Sequence, residues 1–303
     1  MPIMIKNKTA VALGSFDGLH KGHMSVIACA LSFKECGLTP LVMLFDSHPL
    51  KCLTGKAPAE ILQPSLRDEI LENRGVVSEV ISFEEIMNLT CREFFIKILL
   101  EKLNAGAVCC GFNYRFGVGG SGGTEELKAL CNEFGVELKI SPEIEQSGSP
   151  ISSTRIRQAI ESGNIPLANA MLGREFRYKY TVVSGDKRGR LMGAPTINQH
   201  FGENFVVPKI GVYASVTVVG KNEYPSVTNI GLRPSFENED LRSETCILGF
   251  SGDLYSKDIE VRLLQYLRGE MKFESMEALG NRIKADAETS KEIYKKRGEN
   301  GNV

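Results

Sequence analysis

The chain has 303 residues, with 36 Lys plus Arg against 37 Asp plus Glu and a formal net charge of -1, so no global electrostatic pull toward nucleic acid or an anionic membrane exists and phosphate chemistry must be local. At about 150 residues per domain this length accommodates roughly two cores. No apolar run reaches the roughly 18 residues of a membrane span, the segment MPIMIKNKTAVALG lacks the apolar region of a signal peptide, and eight cysteines without a C-x-x-C pair argue against a zinc site or disulfide framework, so the chain reads as a cytoplasmic protein.

Up to about residue 170, short apolar runs alternate with segments of helical period: TAVALGS, GHMSVIACALSFKECG, LVMLF, LRDEILENRG, VSEVIS, REFFIKILLEKL, AGAVCCG, EELKALCNEFG and VELKI. Strands alternating with helices predict a doubly wound α/β domain with a parallel sheet, whose ligand site lies beyond the carboxyl ends of the strands. Cys109 and Cys110, inside one apolar run, read as small buried thiols. After MLGREF at 171–176 the runs become dense, short and strand-like, punctuated by Gly, Asn and Asp, which predicts an antiparallel β-barrel or sandwich. Met276, Leu279, Ile283 and Ala287 recur at helical spacing and predict a closing C-terminal helix with a solvated Lys-rich end. The joint falls between about 163 and 176, giving domains of 1–170 and 171–303.

Three stretches carry chemistry. GSFDGLHKGH (14–23) runs from the first predicted strand into the first predicted helix, where backbone N–H groups face an anion. Gly14, Gly18 and Gly22 permit close backbone approach to phosphate, and His20 and His23 can donate to phosphoryl oxygens; H-x-G-H is a nucleotidylyltransferase signature, the alternative being two turn or core histidines. SPISSTRIRQAI (149–160) sets Ser152, Ser153 and Thr154 at a predicted helix start with Arg155 and Arg157 after them: a triphosphate clamp, or an ordinary hydroxyl cap with surface arginines. GDKRGRLMGAPTIN (185–198) is a glycine-rich turn that alone is most simply a hairpin.

Together with FDSHP (45–49), GFNYRFG (111–117), GVY (211–213), TNIGLRPSF (228–236) and the region from ETCILGF to LRGEMKF (244–273), these motifs make the chain resemble the bacterial bifunctional riboflavin kinase/FAD synthetases along nearly its whole length. The resemblance implies a nucleotidylyltransferase domain followed by a β-barrel kinase. The substrates would be ATP, riboflavin and FMN, the final product FAD, and the metal Mg²⁺; nucleic acid and membrane have no part, and self-association stays open. His20 and His23 would face the α-phosphate of ATP, with Gly14, Phe16 and Gly22 lining the site and Ser153, Thr154 and Arg157 holding the β- and γ-phosphates. Asn113 and Asn229 would belong to flavin or nucleotide pockets. In the kinase half, Gly185, Gly189 and Gly193 would cover the ATP phosphates, Thr196 and Asn198 would ligate Mg²⁺, and Glu244 would take the proton of the riboflavin 5′-hydroxyl. His48 is shared between a site role and a His-Pro turn, and His200 reads as a loop residue. Ser15, Gly120, Ala194, Cys246 and Gly249 depart from the residues common in the family; the last three crowd Thr196 and Glu244 in sequence and bear on flavin affinity and kinase rate. A single live activity, with the other domain as a flavin-binding module, is the rival reading.

Overall fold

The structure, a computed structural model, describes residues 7–184, 196–234 and 239–299. Chain contacts divide it into one unit of Met1–Ala59 with Pro64–Ser152 and another of Glu60–Gln63 with Ser153–Val303.

The first unit is built on five parallel strands, β1 (Thr9–Leu13), β2 (Thr39–Phe45), β3 (Val77–Ile81), β4 (Ala105–Gly111) and β5 (Glu137–Ser141), in the order β3-β2-β1-β4-β5. Chain order reverses between β1 and β4, which opens a crevice at the carboxyl end of β1. Every residue of β1 is buried, as expected of a parallel strand covered on both faces. Helix α1 (Lys21–Leu31) returns over the sheet on Val26, Ile27 and Ala30. On the core face Val11, Leu13, Met43 and Val108 meet Phe95, Leu99 and Leu127. REFFIKILLEKL enters its helix through a capping box, Thr90 with Glu93, and then widens into π-helical turns over Phe94–Lys102. Cys109 and Cys110 are fully buried in β4, which pushes both thiols up to about 12. A short hairpin of β6 (Glu145–Gln146) and β7 (Ser149–Pro150) ends this unit.

In the second unit, two helices (Ser153–Glu161 and Ile165–Leu172) precede six antiparallel strands: β8 (Phe176–Thr181), β9 (Thr196–His200), β10 (Gly211–Val219), β11 (Asn222–Pro234), β12 (Glu239–Ile247) and β13 (Asp258–Arg268). Their order is β8-β13-β10-β11-β12-β9, and a bridge between Val183 and Asn198 brings the two edges together, so the sheet curls into a half-barrel. Asn169 ties the second of these helices to the sheet, donating to Leu263 O and accepting from Phe176 N.

Hydroxyls line the middle of the curl. Ser215, Thr228 and Thr245 form a chain at 2.8–2.9 Å, and Tyr178 bonds Ser243 at 2.6 Å, all buried. Each short polar side chain thus finds a cross-strand partner, which removes most of the cost of burial.

The C-terminal helix, Met276–Glu299, packs Ile293 and Tyr294 on Ala214, Val216 and Leu264 of the opposite sheet face. Of the apolar stripe expected on it, Met276 is 69% exposed, whereas the most buried positions are the polar Asp286 and Ser290. Ser290 donates to Ser226 O at 2.6 Å, so this interface uses polar anchors where periodicity predicts aliphatic ones. Its basic end is only partly solvated, since Arg297 pairs with Glu223 and Glu175.

Candidate active sites

Following β1, the chain makes a tight left-handed turn: φ is 50° at Phe16, 77° at Gly18 and 41° at Leu19. Such conformations cost a non-glycine residue about 1–3 kcal/mol each. Phe16 and Leu19 hold them because their side chains are fully buried and leave the backbone no choice. The turn delivers His20 as the N-cap of α1, where its Nδ1 accepts from His23 N at 3.2 Å. An accepting Nδ1 puts the proton of the neutral ring on Nε2, which is therefore a donor. The His20 and His23 rings stack at 3.6 Å with 17° between their planes. Gly22 makes that packing possible, because a Cβ there would lie 3.1 Å from His20 Cε1. A Cβ on Gly14 would lie 3.3 Å from the Phe16 ring. Gly14, Phe16, His20, Gly22 and His23 thus form one packed turn at a helix N-terminus beside the sheet's crevice.

Ser153 opens the helix Ser153–Glu161, Thr154 is exposed on its first turn, and Arg157 follows one turn on, while Ile156, Ala159 and Ile160 are buried. Asn113 lies exposed in the turn after β4. His48 caps α2 (Pro49–Thr54), accepting from Leu50 N at 3.2 Å, which is the turn role for that His-Pro pair.

In the second unit the strand register assembles a row. Glu244 is paired with Asn229 on β11 and with Asn198 on β9, and the row continues through Val212 on β10 to Arg268 on β13. Cα partners on adjacent strands project to the same face, so Asn198, Glu244 and Asn229 stand side by side. Thr196, two pairs along and so on the same face, donates its hydroxyl hydrogen to Glu244 Oε1 at 2.9 Å. A hydroxyl has only one hydrogen, so the free lone pairs of Thr196 Oγ1 are acceptors. Asn198 is 5% exposed, and among the described residues its Oδ1 has no hydrogen-bond partner. Two oxygen acceptors next to a carboxylate, one of them buried and unsatisfied, suit a hard cation such as Mg²⁺. Gly185, Gly189, Gly193 and Ala194 lie outside the described residues.

Cys246 shares this face as the register partner of Thr196, and burial followed by the nearby Glu244 charge pushes its thiol up. Gly249 takes φ 78°, a conformation open to glycine, and His200 pairs with Arg242 one row below Glu244. Sequence reasoning did not single out Arg268, Glu270 and Asp286, which border the same row. No residue pattern announces them, because each matters only through a partner on a different element.

The FAD synthetase family model matches residues 3–155 and the riboflavin kinase family model residues 172–294. The chain is 33% identical over 293 residues to the bifunctional riboflavin kinase/FMN adenylyltransferase of Bacillus subtilis strain 168, covering 92% of this chain and 90% of that one. It is 32% identical over 289 residues to the enzyme of the same description from Escherichia coli K12, covering 94% and 92%. A crystal structure from Streptococcus pneumoniae, described as a macrolide-efflux protein, shares 33% identity and a TM-score of 0.86, with 94% of each chain covered. Among the described residues of this chain, no helix is long and apolar enough to cross a membrane.

Proposed function

The chain belongs to the family of bifunctional riboflavin kinase/FMN adenylyltransferases, and from that premise we propose how its own residues divide the two reactions. It phosphorylates riboflavin to FMN with ATP and adenylylates FMN with a second ATP, giving FAD and pyrophosphate. The adenylylation belongs to 1–170 and the phosphorylation to 171–303, a division supported by family models that end at 155 and begin at 172. ATP as donor in both steps supports a cytoplasmic setting.

For the kinase, the observation that carries the reading is the Thr196–Glu244 hydrogen bond beside the unsatisfied Asn198 Oδ1. The riboflavin 5′-hydroxyl is a neutral alcohol and needs a base; Glu244, a carboxylate already accepting one hydrogen bond, takes that proton. Thr196 and Asn198 hold Mg²⁺. When bound, the ion neutralises charge on the ATP phosphates. The family resemblance assigns the glycine run 185–193 to those phosphates, and Asn229 contacts the flavin.

For the adenylyltransferase, the attacking FMN phosphate is already an anion, so alignment and charge stabilisation suffice. His20, donating from Nε2, and His23 stabilise the α-phosphate. Ser153, Thr154 and Arg157 hold the outer phosphates of ATP, and Asn113 belongs to the flavin or nucleotide pocket.

The test supplies riboflavin or FMN separately to purified variants whose fold is verified by circular dichroism. Glu244→Gln is expected to slow riboflavin phosphorylation about 100- to 10,000-fold while converting supplied FMN normally. Asn198→Ala is expected to lose FMN formation at limiting Mg²⁺. Parental FMN formation by either folded variant removes its assignment.

A further inference from the structure

Beyond Glu244 the row of paired residues runs on to the end of β13, where a buried ion pair joins strand and C-terminal helix. Asp286 is 3% exposed and receives Arg268 Nε at 3.0 Å and Arg268 Nη2 at 2.8 Å, both on Oδ2. Arg282, one turn earlier on the helix, lies 3.1 Å from Oδ1. The remaining Arg268 nitrogen, Nη1, donates to Gly269 O at 3.1 Å. One guanidinium therefore grips the helix with one edge and the chain leaving β13 with the other. That chain carries Glu270 over β11: a Cβ on Gly231 would lie 2.5 Å from Glu270 Oε1 and 3.6 Å from Asn229 Nδ2. Glu270 thus sits against Gly231, two residues along β11 from the Asn229 that pairs with Glu244.

We propose that Asp286 is a positioning residue for riboflavin phosphorylation: through Arg268 and Gly269 it fixes Glu270 at the acceptor end of the row. This rests on the kinase reading above. With ATP and its metal held at the Asn198 end and the base in the middle, the body of the acceptor extends past Asn229 toward Glu270. A carboxylate there accepts hydrogen bonds from the N–H and O–H groups at the far end of a neutral acceptor. Gly231 is glycine because the carboxylate occupies the place of its side chain. A buried pair costs desolvation that its own attraction barely offsets, so geometry rather than stability is what it contributes.

The test uses the full-length protein, measuring kcat, riboflavin KM and ATP KM for FMN formation, adenylylation of supplied FMN, and Tm. Asp286→Asn is expected to lower kcat/KM for riboflavin about 10- to 100-fold, with ATP KM within about twofold of the parent and adenylylation intact. Asp286→Glu should recover part of the loss. The exposed Glu270→Gln should raise riboflavin KM at parental Tm. A fall in Tm with unchanged riboflavin parameters, an equal loss in both substrates, or a parental Glu270→Gln overturns the proposal. If Asp286→Asn does not fold, Arg268→Lys and Glu270→Gln decide by the same criteria. Glu244→Gln, run alongside, separates the two failures: parental FMN formation there removes the site assignment itself, whereas its loss leaves only the positioning role in question.

Discussion

At the scale of single residues, the turn between β1 and α1 is a packing problem before it is a chemical one. Gly22 has no side chain because His20 fills that space, and His20 stays there because its Nδ1 caps α1. Gly22→Ala is therefore expected to push the His20 ring out of its stack on His23, lowering FMN adenylylation on the order of 10- to 100-fold while riboflavin phosphorylation is retained. His23→Ala, which removes a donor outright, is expected to cost about 100- to 1,000-fold and to accumulate FMN from riboflavin. Thiol reactivity provides a second check at this scale. Burial pushes Cys131 up to about 11 and Cys109 and Cys110 up to about 12, whereas Cys36 is exposed. At pH 8 a thiol reagent should label Cys36 quickly and these three only after denaturation.

At the scale of elements, the C-terminal helix is fastened by charge as much as by apolar contact. Arg297 pairs with Glu223 and Glu175, Arg262 bonds Glu223 at 2.6 Å, and Arg177 lies 3.4 Å from Glu260, so three arginines and three glutamates alternate across β8, β11, β13 and the helix. The Arg297 hydrogen bond holds the Glu223 carboxyl below its ordinary range, whereas burial holds Glu175 above it despite the same arginine. The signs are opposite. A depressed carboxyl contributes stability above its unfolded pKa that is lost as pH falls through the folded value; a raised one loses stability as pH rises. Arg297→Ala is expected to lower Tm by about 2–4 °C at pH 7, equivalent to roughly 1 kcal/mol. That deficit should shrink as pH falls through the depressed titration of Glu223 in the parent, below which its carboxyl is protonated in parent and variant alike. A deficit independent of pH would assign the loss to packing of Arg297 on Tyr294 instead.

At the scale of the whole molecule, two reactions in series share one intermediate, FMN. Glu244→Gln and His23→Ala block different steps, so neither alone should carry riboflavin to FAD. Mixed in one vessel, they are expected to restore FAD formation after a lag, as FMN released by the His23→Ala protein reaches the adenylylation site of the other. Chromatography of riboflavin, FMN and FAD over time checks this. No FAD from the mixture would mean that FMN does not leave the chain on which it forms.

The sequence by itself determined the elements and the candidate motifs. Alternation of apolar runs announced the parallel sheet, punctuation by turn residues announced the barrel strands, and H-x-G-H and ISSTRIR stand out because anion contact favours particular residue types at local spacing, whereas PTIN is picked out only through the family resemblance. Such signals are local, and local signals survive in one dimension. Only the tertiary structure decided which distant residues meet. Thr196 and Glu244, 48 residues apart, are joined by the register of β9 on β12, and a one-residue slip would turn Glu244 to the opposite face. The same holds for the helix stripe. Met276 has the expected period yet faces solvent, while Asp286 and Ser290 are buried because Arg268 and Ser226 O wait on the sheet to receive them. A polar residue is cheap to bury only where a partner stands, and partners are a property of the fold rather than of the chain.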